Sequence, residues 1–404
     1  MTSHDKNAPL FISLFNYGGG MRGLIPAHIM AYIENRTGLR MAEMVDVFTG
    51  PSTGAILNAG LNVPNPKDPT KPKFRARHMV KFYEREGAKI FPPDNFRDFR
   101  GLIHDFNNRT MKIGQLNRLF RHGHYDPSYL SGCMKRLYGE TQLSDTVKSI
   151  IIPVYNIDGE QLKLAVEPGE SQDAPVHTLN NFVDEGGHAV WFKNLKFAKE
   201  KLHCPKVKLY DTVIATTAAP TYFPCHHFKA TRDGFKSDIH YTGIDGSLFD
   251  NPCINYHGAL RRHIPEGAKH ISIVLGTGYT QRSISKDDWN SYGGLGVVDP
   301  VHDLPLIRIL FHAPESALTQ SYMDDLGDGL FMFNKSMIAA RHTDTPSDDI
   351  DDASPENLEK LRRFARVIIE DNITRLDELC DLLVQNYENT GKKPSKNGFL
   401  DIFK

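Results

Sequence analysis

Residues 50–54 read Gly50-Pro51-Ser52-Thr53-Gly54, a G-x-S-x-G pattern. That spacing suits a serine on a sharp strand-to-helix turn. Flanking glycines relieve crowding, the hydroxyl projects outward, and the helix behind it supplies a positive field for a developing oxyanion. The chemistry would be nucleophilic attack on an acyl carbonyl. The plain alternative is an ordinary turn with an N-capping Ser52. Upstream stands Gly18-Gly19-Gly20-Met21-Arg22-Gly23. Glycines in a row uncover backbone N–H groups and let a ligand approach closely. One reading is an oxyanion hole, with Arg22 as a fixed positive charge. The other is a dinucleotide site. Gly18, Gly20 and Gly23 satisfy G-x-G-x-x-G, and Glu43 and Asp46 stand about 20 residues on, where a ribose-binding acid belongs. Against it, Asp46 falls inside the second strand and Ser52 follows at once, which hydride chemistry does not need. A tight turn alone needs one or two glycines, not four in six.

A serine nucleophile needs a base. Asp245-Gly246 closes an apolar run, and acids at the C-terminal edge of a sheet converge on one crevice. Taken alone the dipeptide is a turn signal, and Asp158, Asp233 and Asp328 begin three more. Histidine is the usual base. Of 18 histidines, His226, His227, His240, His257, His263 and His270 lie near the later strands, none in a distinctive motif. His226 and His227 are adjacent, so their side chains point apart on an extended segment and no metal cluster is favoured. Neither H-E-x-x-H nor a Walker A sequence occurs. No cofactor and no metal are expected.

The elements that must carry these groups are legible as alternation. Leu10–Phe15 and Val45–Phe48 read as strands, each followed by a glycine-rich turn. Helices then follow over Leu24–Arg36 and from about Thr53. Strand, turn, helix repeated twice predicts a parallel α/β architecture. Ser149–Tyr155, Thr212–Ala215, Ile239–Ile244 and Ile271–Leu275 read as further strands. Residues 62–73 read as a Pro- and Lys-rich loop, and the chain to about residue 130 as polar and helical in pattern. Asp344, Asp348, Asp349, Asp351 and Asp352 predict an acidic loop. Ser354 as N-cap and Pro355 at the first helical position open an amphipathic helix through Leu358, Leu361, Ala365 and Ile368. The tail past Tyr387 is polar. The expected division is a tail over 1–9, a catalytic domain over 10–300 and a C-terminal helical region over 301–404.

Composition bounds the function. The 404 residues are 40% apolar and 24% charged, the balance of a folded globular chain. Net charge is −1, without the basic excess of a protein that neutralises many phosphates, so binding to a nucleic-acid duplex is not expected. Five cysteines are spread without a C-x-x-C, which favours a reducing compartment over a disulfide framework or zinc ribbon. Met1–Leu10 has no secretory pattern, and no apolar run approaches the roughly 18 residues of a membrane span. Between Lys67 and Lys89 eight Lys/Arg meet three Asp/Glu, a contact for anionic lipid, a movable lid or simply a solvated face.

The order of these motifs resembles the patatin-like phospholipases. Phe82-Tyr83 through Ile90-Phe91-Pro92, Ala215-Thr216-Thr217-Ala218-Ala219-Pro220-Thr221-Tyr222-Phe223-Pro224 and Leu275-Gly276-Thr277-Gly278 are similar to further segments of that family. The resemblance spans about residues 10–280. It implies a three-layer α/β hydrolase with a mostly parallel central sheet, here with a C-terminal helical addition. It implies a Ser–Asp dyad: Ser52 as nucleophile, Asp245 as base, and the N–H groups of Gly18, Gly19 and Gly20 with Arg22 as oxyanion hole. The reaction implied is phospholipase A-type cleavage of fatty-acyl esters in membrane phospholipids. The enzyme would be cytoplasmic and peripheral at the membrane. Some bacterial members serve anti-phage defence under cyclic-nucleotide control and others are secreted toxins, so a nucleotide or protein activator and a homo-oligomer are further expectations. Tyr17, Pro51, Ile214 and Ser247 depart from the usual pattern without removing a catalytic atom.

Overall fold

The computed structural model describes residues 9–92, 125–158, 186–198, 204–220, 222–231, 238–280, 284–293, 297, 305–339 and 344–391. The first apolar run becomes β1 (Leu10–Asn16), buried at six of seven positions. It lies between β2 (Val47–Thr49) and β7 (Lys269–Leu275), parallel to both. A parallel strand covered on both faces has no polar side, so its sequence is apolar without alternation. Ile12 and Leu14 face one core cluster. Phe11 and Phe15 face the clusters on the opposite side. The sheet is therefore the middle of three layers.

The parallel block extends outward. β8 (Leu330–Phe333) pairs with β7, and β3 (Ser149–Asn156) pairs with β2. Beyond β3 the sheet turns antiparallel. β3 pairs with β4 (His188–Asn194) along its length and with β6 (Ile239–Ile244) at its end, and β5 (His226–Ala230) closes the edge. The strand order is β8-β7-β1-β2-β3-β6-β5, with β4 paired to β3. The parallel centre matches the expected fold, and the antiparallel flank is an addition to it.

Crossover helices cover the faces. α1 (Leu24–Thr37) buries eleven of its fourteen residues, and a helix apolar all round belongs inside. It packs among α3 (Ala76–Ile90), α7 (Pro355–Asp371) and α8 (Ile373–Glu388). α2 (Ser52–Gly60) and α4 (Pro127–Tyr138) share that side. On the other side Tyr322 of α6 (Pro305–Leu326) reaches Ser272 of β7, hydroxyl to hydroxyl, at 2.8 Å. Phe331 and Phe333 of β8 and Leu361, Phe364 and Ile368 of α7 belong to the same cluster as Ile12 and Leu24. The C-terminal residues thus complete the central core.

Some expectations change. Thr212–Ala215 is not a strand but lies within a helix, α5 (Leu209–Thr216). A short apolar run fits a buried helix as well as a strand. Here Thr212 Oγ donates to Leu209 O, a helical bond. The Pro- and Lys-rich stretch contains a small antiparallel hairpin, Pro64–Asn65 against Asp68–Pro72. β4, β5 and β8 were not read from the sequence. Ser354 caps α7 as expected, its Oγ accepting from Asn357 N. Residues 93–124 of the polar helical stretch and the tail beyond 391 lie outside the described residues.

Candidate active site

Between Thr49 at the end of β2 and Ser52 at the start of α2 the chain reverses within two residues. Ser52 takes φ 50°, the one positive φ at a non-glycine among the described residues. Such a residue costs about 1–3 kcal/mol and persists only where its surroundings fix it. Ser52 N–H donates to Thr216 Oγ1 at 3.1 Å, and Thr216 Oγ1 donates to Pro153 O at 2.5 Å. Beneath the turn, a Cβ on Gly50 or Gly54 would strike the Asn16 carbonyl oxygen, so the elbow can press directly on β1. Asn16 Nδ2 donates to Asn58 Oδ1 at 2.7 Å, and Asn58 Nδ2 donates to Thr49 O at 2.8 Å. The ends of β1 and β2 and the helix α2 are thereby locked around Ser52.

Asp245 follows β6 and is 3% exposed. Its Oδ1 accepts from Ser247 N at 2.8 Å and from Ser247 Oγ at 2.6 Å, and its N–H donates to Ala218 O. Burial lifts its pKa from 3.8 to about 6; the bonds from Ser247 and from the Ser52 hydroxyl pull the other way. The Ser52 hydroxyl thus lies close enough to this carboxyl to act on its pKa. A carboxylate that ionises close to neutral pH is a stronger proton acceptor than an exposed one.

The glycine loop arches over the same spot. A methyl on Gly18 would sit 3.0 Å from Asp250 Oδ2, 3.1 Å from Ser247 Oγ and 3.2 Å from Ser52 Cβ. Gly18 N–H donates to Asp250 Oδ2 at 2.8 Å, and Gly18 O accepts from Thr277 Oγ1 at 2.8 Å. Met21 N–H donates to Ile350 O at 2.7 Å, and Arg22 N–H donates to Gly19 O at 3.1 Å. The N–H groups of Gly19 and Gly20, at φ 146° and 55°, make no hydrogen bond among the described residues. Arg22 Nε is enclosed without a partner among the described residues. Burial lowers the Arg22 pKa, while Asp348 and Asp250 oppose the shift.

An apolar cleft opens beside Ser52. Phe82, Tyr83, Ile90 and Phe91 of α3 and its C-terminal end form one wall. Thr217, Ala219, Tyr222 and Phe223 form another, with Ile350 beside Gly20. These are the two segments whose sequence resemblance had no assigned role. No histidine lines the cleft among its described residues. His226 pairs with Asp211 and His257 with Asp325, each at 2.8 Å. His270 Nε2 meets Ser13 Oγ at 2.7 Å, midway along β1.

The acids of the dinucleotide reading lie elsewhere. Asp46 Oδ2 accepts from Ile12 N, toward the start of β1, whereas the glycine loop follows its end. Glu43 Oε2 accepts from Arg40 N and caps a short helix. Neither faces the glycine loop. Among the described residues no group of three His, Cys, Asp or Glu is arranged to hold a metal ion. Sequence reading passed over Thr216, Asp250, Thr277 and Ile350. Thr216 and Thr277 lie inside segments singled out by resemblance, whereas nothing local marks Asp250 or Ile350.

The model of the patatin-like phospholipase family matches residues 17–257. The chain is 25% identical over 393 residues to Patatin-like protein 2 of Oryza sativa subsp. indica, covering 89% of this chain and 84% of that one. It is 26% identical over 408 residues to Patatin-like protein 2 of Arabidopsis thaliana, covering 93% and 86%. It is 25% identical over 367 residues to Patatin-17 of Solanum cardiophyllum, covering 85% and 80%. With the three-layer sheet, the serine elbow and the apolar cleft, the match means that the chain belongs to the patatin-like phospholipase family, and so among hydrolases that act on lipids.

Proposed function

We infer that the protein is a serine acyl hydrolase of phospholipase A type acting through Ser52 and Asp245. The observation that carries this reading is Ser52 held at φ 50° in the lining of an apolar cleft, with the buried Asp245 carboxyl close enough for the hydroxyl to act on its pKa. The cleft takes a fatty-acyl chain, and the ester carbonyl lies over Ser52. Ser52 Oγ attacks the carbonyl carbon as Asp245 takes its proton. The carbonyl oxygen becomes an oxyanion that accepts from the free N–H groups of Gly19 and Gly20, with the Arg22 charge nearby. The intermediate collapses, the glycerol oxygen leaves with the proton from Asp245, and an acyl-enzyme remains. Water then attacks the acyl carbon and gives its proton to Asp245. Collapse releases the fatty acid and returns that proton to Ser52.

Membrane phospholipid is the proposed substrate source. No helix of the described residues is long and apolar enough to cross a membrane, so the enzyme would reach lipid from the surface. The outer face of α3 carries Arg77, Lys81, Arg85 and Lys89 at four-residue spacing, all exposed. The acids of α3 are engaged: Glu84 with Arg362 at 2.8 Å, and Glu86 with Tyr129, Arg136 and Lys89. Arg77, Lys81 and Arg85 make no ion pair among the described residues. The opposite face of α3 lines the cleft. Anionic lipid is the partner this stripe fits, at about 1 kcal/mol per basic residue.

Fatty-acid release from mixed phospholipid vesicles by wild type, Ser52→Ala and Asp245→Asn tests the reading. Release by wild type and loss in both folded variants supports it. Full activity in Asp245→Asn rejects the base, and no release by wild type rejects the substrate class. Charge reversal at Arg77, Lys81 and Arg85 should weaken sedimentation with anionic vesicles more than about tenfold. Unchanged sedimentation rejects the docking face.

A further inference from the structure

A second carboxyl, Asp250, sits in the same site, and the dyad chemistry makes no use of it. The turn that begins at Asp245 brings it back under the glycine loop, where its Oδ2 accepts the Gly18 N–H at 2.8 Å. The same peptide is held from its other end, because Thr277 Oγ1 donates to Gly18 O. With Met21 N–H tied to Ile350 O and Arg22 N–H to Gly19 O, the loop is fixed at four places. Gly18 N–H is thus spent on the loop's own geometry, and the neighbouring amides of Gly19 and Gly20 stay open.

Building on the hydrolase reading, we propose that Asp250 is the positioning residue of the glycine loop. By accepting the Gly18 N–H it fixes the conformation that leaves the Gly19 and Gly20 amides for the acyl oxygen. It touches neither nucleophile nor substrate in this role and acts through the loop.

The acceptor works as an uncharged acid. Asp250 Oδ1 is enclosed and has no hydrogen-bond partner among the described residues, a poor setting for a full negative charge. Two carboxyls in one buried site do not ionise together. The groups that face it are Asp245 from the end of β6, Arg22 from the glycine loop, Glu315 from α6, and Tyr17 just after β1. Burial, Asp245 and Glu315 push its pKa well up, while the Gly18 bond and Arg22 oppose them. Burial and the neighbouring carboxyls therefore favour the protonated form of Asp250.

An uncharged acceptor is replaceable by an amide, which gives the test. Asp250→Asn keeps an oxygen for Gly18, whereas Asp250→Ala keeps none. Hydrolysis of p-nitrophenyl butyrate is followed against pH for wild type, both variants and Ser52→Ala. Loss of one oxyanion donor costs roughly 100- to 1000-fold in kcat, and a loosened loop should cost at least about 10-fold. The expected result is a kcat fall of that size in Asp250→Ala with KM changed less than about threefold. Asp250→Asn should stay within about threefold of wild type, with the acid limb near pH 6 unmoved. It should also lose any alkaline fall that wild type shows. An Asn variant as poor as Ala, or an acid limb displaced downward in Asp250→Asn, overturns the uncharged acceptor. The latter would mean that a negative Asp250 had been raising the Asp245 pKa. Hydrogen–deuterium exchange of the peptide spanning residues 16–24 gives a reading independent of turnover. Exchange should quicken in Asp250→Ala and not in Asp250→Asn, and equal protection in all three proteins overturns the positioning role. If Ser52→Ala alone keeps full activity, the hydrolase reading fails, and exchange still judges Asp250.

Discussion

Replacing Asp245 with Asn should abolish activity and yet stabilise the protein at alkaline pH. The wild-type carboxyl is buried, and its pKa is raised from 3.8 to about 6. The native state therefore holds this proton more tightly than the unfolded chain does. The stabilisation is complete below about pH 4 and is lost as pH rises through about 6. Above that, the wild type keeps a carboxylate where water cannot solvate it. The shift is equivalent to about 3 kcal/mol, a ceiling for the effect. The substituted amide would be neutral at every pH, and its oxygen can still accept from Ser247 N and Oγ. The stability difference between variant and wild type should move in the variant's favour by up to about 3 kcal/mol, mostly between about pH 4 and pH 6, with its midpoint near 5. Urea unfolding followed by tryptophan fluorescence at several pH values measures it. A pH-independent difference, or one that moves against the variant at high pH, would refute the claim that Asp245 is a destabilised, catalytically poised carboxyl. The same ionisation should appear in catalysis as an acid limb in kcat/KM near pH 6, which Asp245→Asn cannot show.

Three further outcomes follow from the elbow. Ser52→Gly and Ser52→Ala both remove the hydroxyl, but only glycine accepts φ 50° freely. Relief of about 1–2 kcal/mol of strain, less about 0.4–1 for the looser unfolded chain, should leave the glycine variant the more stable by about 0.5–1 kcal/mol. Greater stability of the alanine variant in urea would mean that Ser52 is not strained. Gly54→Ala would ordinarily favour a helix, but here the methyl meets the Asn16 backbone carbonyl, so it should destabilise by about 1–3 kcal/mol. A stabilised Gly54→Ala would show that α2 does not press on β1. Thr216→Val removes the acceptor for Ser52 N–H and the donor to Pro153 O, and should lower both stability and kcat. Loss of neither would show that Thr216 does not hold the elbow.

The candidate site's main parts could be read from the sequence because they are local. Ser52 and its glycines lie within five residues, and the glycine loop within six, each at a strand end that the apolar runs mark. Asp245 was marked by a weak dipeptide and gained weight from a serine's need for a base, from its place at the end of an apolar run and from the order of the other motifs. What stayed hidden depends on long-range packing. Asp250 reaches Gly18 across 232 residues, and Ile350 meets Met21 from the far end of the chain. No spacing rule encodes such contacts. Thr212–Ala215 misled for a related reason: four apolar or β-branched residues buried on all sides lose the periodicity that separates helix from strand. β8 was missed because Leu330–Phe333 is four residues long and finds its place only against β7.

The central claim is that Ser52 is the nucleophile and that Asp245 activates it. Reaction with a fluorophosphonate tests it most directly, since attack by a serine oxygen on phosphorus expels fluoride and leaves a stable adduct. Peptide mass spectrometry should place that adduct on Ser52. Labelling should rise with pH through about 6 in wild type, be absent from Ser52→Ala, and slow sharply in Asp245→Asn. An adduct on another residue, or labelling that survives in Ser52→Ala at the wild-type rate, would contradict the account.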